Sequence, residues 1–210
     1  MNDHVDTSKW IDPCKDPEDV RNEFDRISKN YDEDLLKKGY RAPEDTAEML
    51  ADLIPLETGI LDAGCGTGLV GLYLNRRGFQ NITGLDFSDE CLKKAEEKKV
   101  YTDLVNSSLT EKLPFDDHTF GAVTCIGVFS RFGKAEILAI LNEFSRICRK
   151  DGIILFTYRE DWMKASNLLD DLKKHPQLVI EQLTEPVPIF TVDEELKDIY
   201  GYYVALRNRK

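Results

Sequence analysis

The chain has 210 residues, 41% apolar and 32% charged, with 28 Lys plus Arg against 39 Asp plus Glu and a net charge of -11. That is too apolar for general disorder and too acidic for unspecific DNA binding or a polybasic membrane anchor. The longest apolar runs, Gly121 to Val128 and Gly152 to Phe156, fall far short of the roughly 20 residues of a membrane helix.

The N-terminus, Met1-Asn2-Asp3-His4-Val5-Asp6, is polar and lacks a signal pattern. Residues 17 to 38 read as one helix: Val20, Phe24, Ile27, Tyr31 and Leu35 recur at helical spacing, Pro17 suits the start and Gly39 the stop. A second helix is expected from Ala42 to Leu53, with Pro43 in its first turn and Pro55 beyond its end. From Thr58 strands and helices alternate. Strands are expected at Gly59 to Ala63, Asn81 to Asp86, Tyr101 to Ser107, Thr119 to Gly127 and Gly152 to Tyr158. Helices are expected at Leu69 to Arg77, Asp89 to Lys99 behind a Ser88 cap, Lys134 to Arg149 and 161 to 174. Lys150-Asp151-Gly152 reads as an exit turn. Two late strands, Leu178 to Leu183 and Tyr202 to Arg207, flank a short expected helix, Asp193 to Tyr200.

This alternation implies right-handed crossovers and a mostly parallel sheet covered on both faces. Ligands bind outside the carboxyl ends of such strands, where strand order reverses. The loops after Ala63, Asp86, Ser107, Gly127 and Tyr158 are therefore expected to converge.

Cys14, Cys65, Cys91, Cys125 and Cys148 are odd in number and scattered, with no CxxC pair. Neither a zinc site nor a disulfide framework follows, and no metal is expected. A reducing compartment fits, the cytoplasm first, with a nucleus equally consistent. None of His4, His118 and His175 stands where a general base is expected.

Asp62-Ala63-Gly64-Cys65-Gly66-Thr67-Gly68 joins a strand to a helix. Glycines there permit positive φ and let a ligand touch the backbone, beside free N–H groups at a helix start. Gly66 to Gly71 also satisfies G-x-G-x-x-G, and Asp86 follows Gly68 by 18 residues, close to a dinucleotide fingerprint. The acidic residue at the strand end counts against a pyrophosphate and suits a cationic or amino-bearing ligand. A turn that simply needs glycine remains the third reading.

The same segment resembles the first motif of class I S-adenosylmethionine-dependent methyltransferases. Gly84-Leu85-Asp86-Phe87-Ser88 is similar to their second motif, Leu113 to Val123 to the lead into their fourth strand, and Arg149 to Ile154 to the turn into their fifth. A shorter likeness to one animal branch of the family is carried by Asn30-Tyr31-Asp32, Tyr40-Arg41-Ala42-Pro43 and Cys65 to Val70. The resemblance implies a three-layer α-β-α Rossmann-like sandwich. Its sheet would have seven strands, mostly parallel, with one antiparallel strand near the C-terminus. Residues 1–41 would form a helical extension capping the cofactor site of a domain at 42–210.

It also implies a site. Asp86 would accept both ribose hydroxyls, and Phe87 would face the adenine. Asp62 would hold the methionine amino group or brace the loop. Gly64, Cys65, Gly66, Thr67 and Gly68 would offer close backbone approach. Ser108 stands where many relatives carry an acid that reads adenine, with Leu109 beside it. Ile126 and Gly127 would underlie the sulfonium, and Tyr31, Tyr40 and Arg41 would close over the cofactor, Arg41 pairing its carboxylate. Cys65, with no base beside it, is not expected to be a nucleophile. Acceptor contacts are expected from 17–41, Phe129 to Phe132 and Tyr158 to Trp162. The loop after the fourth strand lacks the Asn/Asp-Pro-Pro-aromatic motif of enzymes that methylate nucleic-acid amines. The expected activity is methyl transfer to a small-molecule or protein acceptor, not DNA. The alternative is a non-catalytic S-adenosylmethionine-binding protein or scaffold.

Overall fold

The computed structural model describes residues 18, 21, 22, 25, 26 and 28–210. The expectations resting on Pro17, Val20, Phe24 and Ile27 lie outside the described residues.

Seven strands run in the order β3-β2-β1-β4-β5-β8-β6, and a two-residue strand, β7, pairs beside β8. In chain order these are β1 (Ile60–Ala63), β2 (Ile82–Asp86), β3 (Asp103–Asn106), β4 (Phe120–Cys125), β5 (Cys148–Arg159), β6 (Leu178–Leu183), β7 (Val187–Pro188) and β8 (Tyr200–Asn208). β3-β2-β1-β4-β5 are parallel, while β8 runs antiparallel to both β5 and β6. The expected seven-stranded sheet with one reversed late strand is therefore present, with β7 as an addition. Its residues, Val187 and Pro188, are too few to show a period.

The helices are α1 (Tyr31–Lys37), α2 (Ala42–Leu53), α3 (Leu69–Arg77), α4 (Asp89–Glu97), α5 (Lys134–Ile147), α6 (Glu160–Ser166) and α7 (Leu168–Lys173). They form layers on both sheet faces, and the strands show why. Alternate residues of β5 point to opposite faces. Ile154 and Phe156 join Leu61, Val123 and Leu85 against Ile137, Leu141 and Phe144 of α5. Ile153 and Leu155 join Ile60, Ile82 and Ala122 against Leu50 of α2 and Leu74 of α3. Each large apolar side chain among them, fully buried, contributes roughly 1.5–3 kcal/mol, which is why Ile60 and Leu61, on opposite faces of β1, are both apolar.

Several boundaries differ from the sequence expectation. The single helix over 17–38 is broken by a turn at residues 28–30, where Ser28 Oγ donates to the Asp25 carbonyl. The helix expected over 161–174 is two, split at Asn167 with φ 53, a left-handed conformation asparagine tolerates. β5 starts before the expected exit turn: Cys148 pairs with Phe120, Asp151 takes φ 60, and the ladder resumes at Ile153. The short helix at Asp193 to Tyr200 is absent. Consecutive turns replace it, with Leu196 N–H donating to the Asp193 carbonyl and Asp193 Oδ1 accepting Glu195 N–H. That local side-chain bond competes with helix.

Candidate active site

Strand order reverses between β1 and β4, so the loops after them part and leave a crevice. A cavity of about 270 Å³ fills it. Of the residues singled out from sequence, Tyr31, Tyr40, Gly64, Cys65, Gly66, Thr67, Asp86, Phe87, Ser108, Leu109, Ile126 and Gly127 line it. Gly68, Asp62 and Arg41 do not.

Gly68 begins α3 at φ 90, a conformation that favours glycine. Asp62 is buried beneath the loop. Its carboxylate accepts Tyr101 Oη at 2.7 Å and Thr124 Oγ1 at 3.1 Å. These two hydroxyls tie it to the segment before β3 and to β4. Burial pushes its carboxyl up to about 6, against the pull of those hydroxyls. Arg41 is exposed and pairs with Asp45 at 3.0 Å, one turn along α2, instead of reaching the crevice.

The glycines divide the labour. A Cβ on Gly64 would meet Val128 Cγ2 at 2.6 Å, whereas one on Gly66, at φ 53, would find nothing within 4 Å. Gly66 therefore faces open cavity. The last glycine of the apparent dinucleotide pattern serves packing: a Cβ on Gly71 would lie 2.3 Å from the Tyr101 ring and hydroxyl. Tyr101 escaped the sequence reading, since an aromatic at a strand start carries no signal of a partner 39 residues away.

Asp86 closes the loop from the other side. One carboxylate oxygen accepts Gly66 N–H and the other Ser88 N–H, both at 2.9 Å. Burial raises its pKa, and the N–H donors of Ser88, Gly66 and Phe87 draw it back. Each oxygen retains acceptor capacity, and Asp86 lines the cavity. Cys65 is a thiol held well above its usual pKa by burial and by the nearby Asp62 and Asp86 charges. Ser108 shares a 2.8 Å hydrogen bond with Thr110, which also lines the cavity.

α1 is fastened to the loop. Asp32 accepts the Thr67 hydroxyl and pairs with Lys98 Nζ at 2.6 Å, and the same ammonium donates to the Thr67 carbonyl at 2.6 Å. Asp25 accepts the Ser88 hydroxyl in parallel.

A second cavity of about 90 Å³ adjoins the first through Tyr31, Tyr40 and Gly127. Of the residues expected to touch an acceptor, Tyr158, Arg159 and Ser130 line it, Arg131 and Phe132 line the larger cavity, and Phe129 is core. The sequence reading missed its far wall, Val187, Ile189, Phe190 and Ile199. The apolar doublets around Pro188 were the only available signal. Among the described residues no group of His, Cys, Asp and Glu is placed to hold a metal.

A family profile described as a methyltransferase domain matches residues 60–152. Methyltransferase-like protein 27 of Homo sapiens, a Williams-Beuren region protein, is 36% identical over 149 residues, covering 69% of this chain and 58% of that protein. Phosphatidylethanolamine N-methyltransferase of Cereibacter sphaeroides is 33% identical over 163 residues, covering 70% and 78%. The crystal structure of magnesium protoporphyrin IX methyltransferase from Synechocystis PCC 6803, with bound S-adenosylhomocysteine, shares the fold at TM-score 0.66 and 14% identity, covering 91% of this chain and 98% of that one.

The chain belongs to the class I S-adenosylmethionine-dependent methyltransferase family. It spans 58% and 59% of the length of the first two curated relatives it matches.

Proposed function

We propose that the protein binds S-adenosylmethionine in the larger cavity and transfers its methyl group to an acceptor in the smaller one. The observation that carries this reading is Asp86: a buried carboxylate, fixed by Gly66 and Ser88 N–H groups, at the wall of a cavity into which Gly66 opens. The lone pairs left on its oxygens suit a ribose diol. Phe87, Ser108 and Leu109 then flank the adenine, and Gly64 to Thr67 approach the amino-acid portion. Asp62 holds the loop in shape from beneath. The described residues before Ala42 act as a cap, and the Asp32 and Asp25 contacts support that role.

When bound, the cofactor supplies an electrophilic methyl on a sulfonium. The acceptor's electron pair forms the new bond to that carbon while the carbon–sulfur pair stays on sulfur. The chain's contribution is to hold both partners in line in a dry cleft. Among the described residues no helix is long and apolar enough to cross a membrane. Cys65, Cys91, Cys125 and Cys148 are free, which supports a reducing compartment such as the cytoplasm.

Calorimetric titration with S-adenosylmethionine and S-adenosylhomocysteine tests the reading. Saturable binding of both is the expected result. Absence of binding, or preference for a nicotinamide dinucleotide, refutes it. A non-catalytic cofactor binder would bind both ligands yet pass no labelled methyl to any acceptor in cell extract.

A further inference from the structure

The smaller cavity has a chemical character of its own. Its walls come from β5, the start of β8 and the segment around β7, with Tyr31, Tyr40 and Gly127 at the seam with the larger cavity. Among the described residues lining it there is no carboxylate, imidazole, amine or thiol, and Arg159 is the charged group. The fork of Arg159 lies against Asp161, at 3.0 and 2.7 Å, and leaves guanidinium N–H groups over. At the seam, the Tyr40 hydroxyl lies 2.8 Å from where a Cβ on Gly127 would be, and forms no hydrogen bond among the described residues. Burial keeps that phenol protonated far beyond neutral pH, so it offers a donor and no base. Arg131, in the larger cavity, adds positive charge beside Tyr31.

A pocket with donors and no base selects an acceptor that is already a nucleophile in water. At neutral pH amines are protonated, and alcohols and most thiols keep their proton, but carboxylic acids are fully ionised. The volume sets the size. A cavity of about 150 Å³ holds the six carbons of benzene, so about 90 Å³ takes an aliphatic body of about three carbons, with the carboxylate at the seam where the two cavities join. We propose that the smaller cavity binds a short aliphatic carboxylate, held by the Tyr40 hydroxyl and the Arg159 guanidinium, as the methyl acceptor. This rests on the cofactor reading above. A carboxylate oxygen pair forms the O–CH3 bond as the methyl–sulfur bond breaks and its pair remains on sulfur. The products are a neutral methyl ester and a neutral thioether, and no proton moves. The negative and positive charges cancel, which an apolar wall favours.

The test uses the full chain and first measures S-adenosylhomocysteine binding by calorimetry. Failure there sinks the cofactor reading and this proposal with it. Butanoate, butane-1-thiol, butylamine and butan-1-ol are then titrated into the protein loaded with S-adenosylhomocysteine, and each is assayed with labelled S-adenosylmethionine. Butanoate is expected to bind and to yield methyl butanoate. Arg159→Gln and Tyr40→Phe should each weaken butanoate binding about tenfold, the scale of one charge-assisted hydrogen bond, with the S-adenosylhomocysteine affinity of Arg159→Gln unchanged. The proposal is overturned if the loaded protein ignores butanoate, if the thiol, amine or alcohol is methylated in its place, or if Arg159→Gln binds butanoate as the parent does.

Discussion

At the residue scale, two buried carboxylates, one in β1 and one at the end of β2, flank the glycine loop from different sides. Asp86 faces the cavity and Asp62 faces the packing beneath it. Asp86→Asn keeps the shape but replaces one acceptor oxygen by a donor facing a backbone N–H. Cofactor affinity should fall by about 2–3 kcal/mol, the scale of hydrogen bonds to a charged group. Titration calorimetry reads it, and near-parental affinity would remove Asp86 from the sugar. Asp62 has a folded pKa near 6, above the ordinary carboxylate value of 3.8. The folded protein therefore holds this proton more tightly than the unfolded chain. Its contribution to stability is greatest below pH 4, declines as pH rises to about 6, and is level above. The stability difference between the parent and Asp62→Asn should fall over that window, by on the order of 3 kcal/mol. Denaturant titrations at stepped pH would show it, and a difference flat from pH 4 to 7 would contradict it. The sequence made both carboxylates visible by their places at strand ends. It could not divide their roles, because the partner that claims Asp62 is Tyr101, whose ring occupies space that only Gly71 leaves open.

At the element scale, that same ring decides how α3 lies on the sheet. Alanine is the better helix former by about 1 kcal/mol, so helix propensity alone favours Gly71→Ala. The Tyr101 ring, 2.3 Å from the new Cβ, reverses the sign. Gly71→Ala should lose about 1–3 kcal/mol by overpacking, read by urea unfolding, and a variant more stable than the parent would contradict the packing. α1 is held differently, by the bonds of Asp32 to Thr67 and Lys98. Asp32→Ala should raise amide exchange across residues 31–37 while global stability moves by less than about 1 kcal/mol, as expected of a partly exposed ion pair. Unchanged exchange would mean that apolar contacts of Leu35 and Tyr31 hold the helix by themselves. Element boundaries were legible where a single residue type dictates them, such as Ser88 at the α4 cap, whose Oγ accepts Cys91 N–H at 3.1 Å. They were not where tertiary pairing decides. Residues 150–152 read as a turn by composition, yet the pairing of Cys148 with Phe120 makes them part of an irregularity within β5.

At the scale of the whole molecule, the net charge of -11 opposes the approach of a small anion. The guanidinium groups of Arg131 and Arg159 act only at close range. Added salt screens the distant repulsion before the buried contact. The KM for an anionic acceptor should therefore fall between low and physiological ionic strength, and a KM that rises steeply would mean that surface attraction governs entry.

The reversed direction of β8 has a consequence for how the molecule is partitioned. Because it runs against its neighbours, its opening residues, Gly201 to Tyr203, arrive at the end of the sheet where the parallel strands finish. The stretch that kinship detects, 60–152, ends before these residues begin. On the reading proposed above, the far wall of the smaller cavity is thus supplied by a stretch of chain separate from the glycine loop and Asp86. A chimaera that exchanges 184–203 with a relative should change which aliphatic bodies the smaller cavity admits, while keeping the recipient's hold on the nucleoside and, through Tyr40 and Arg159, its preference for a carboxylate.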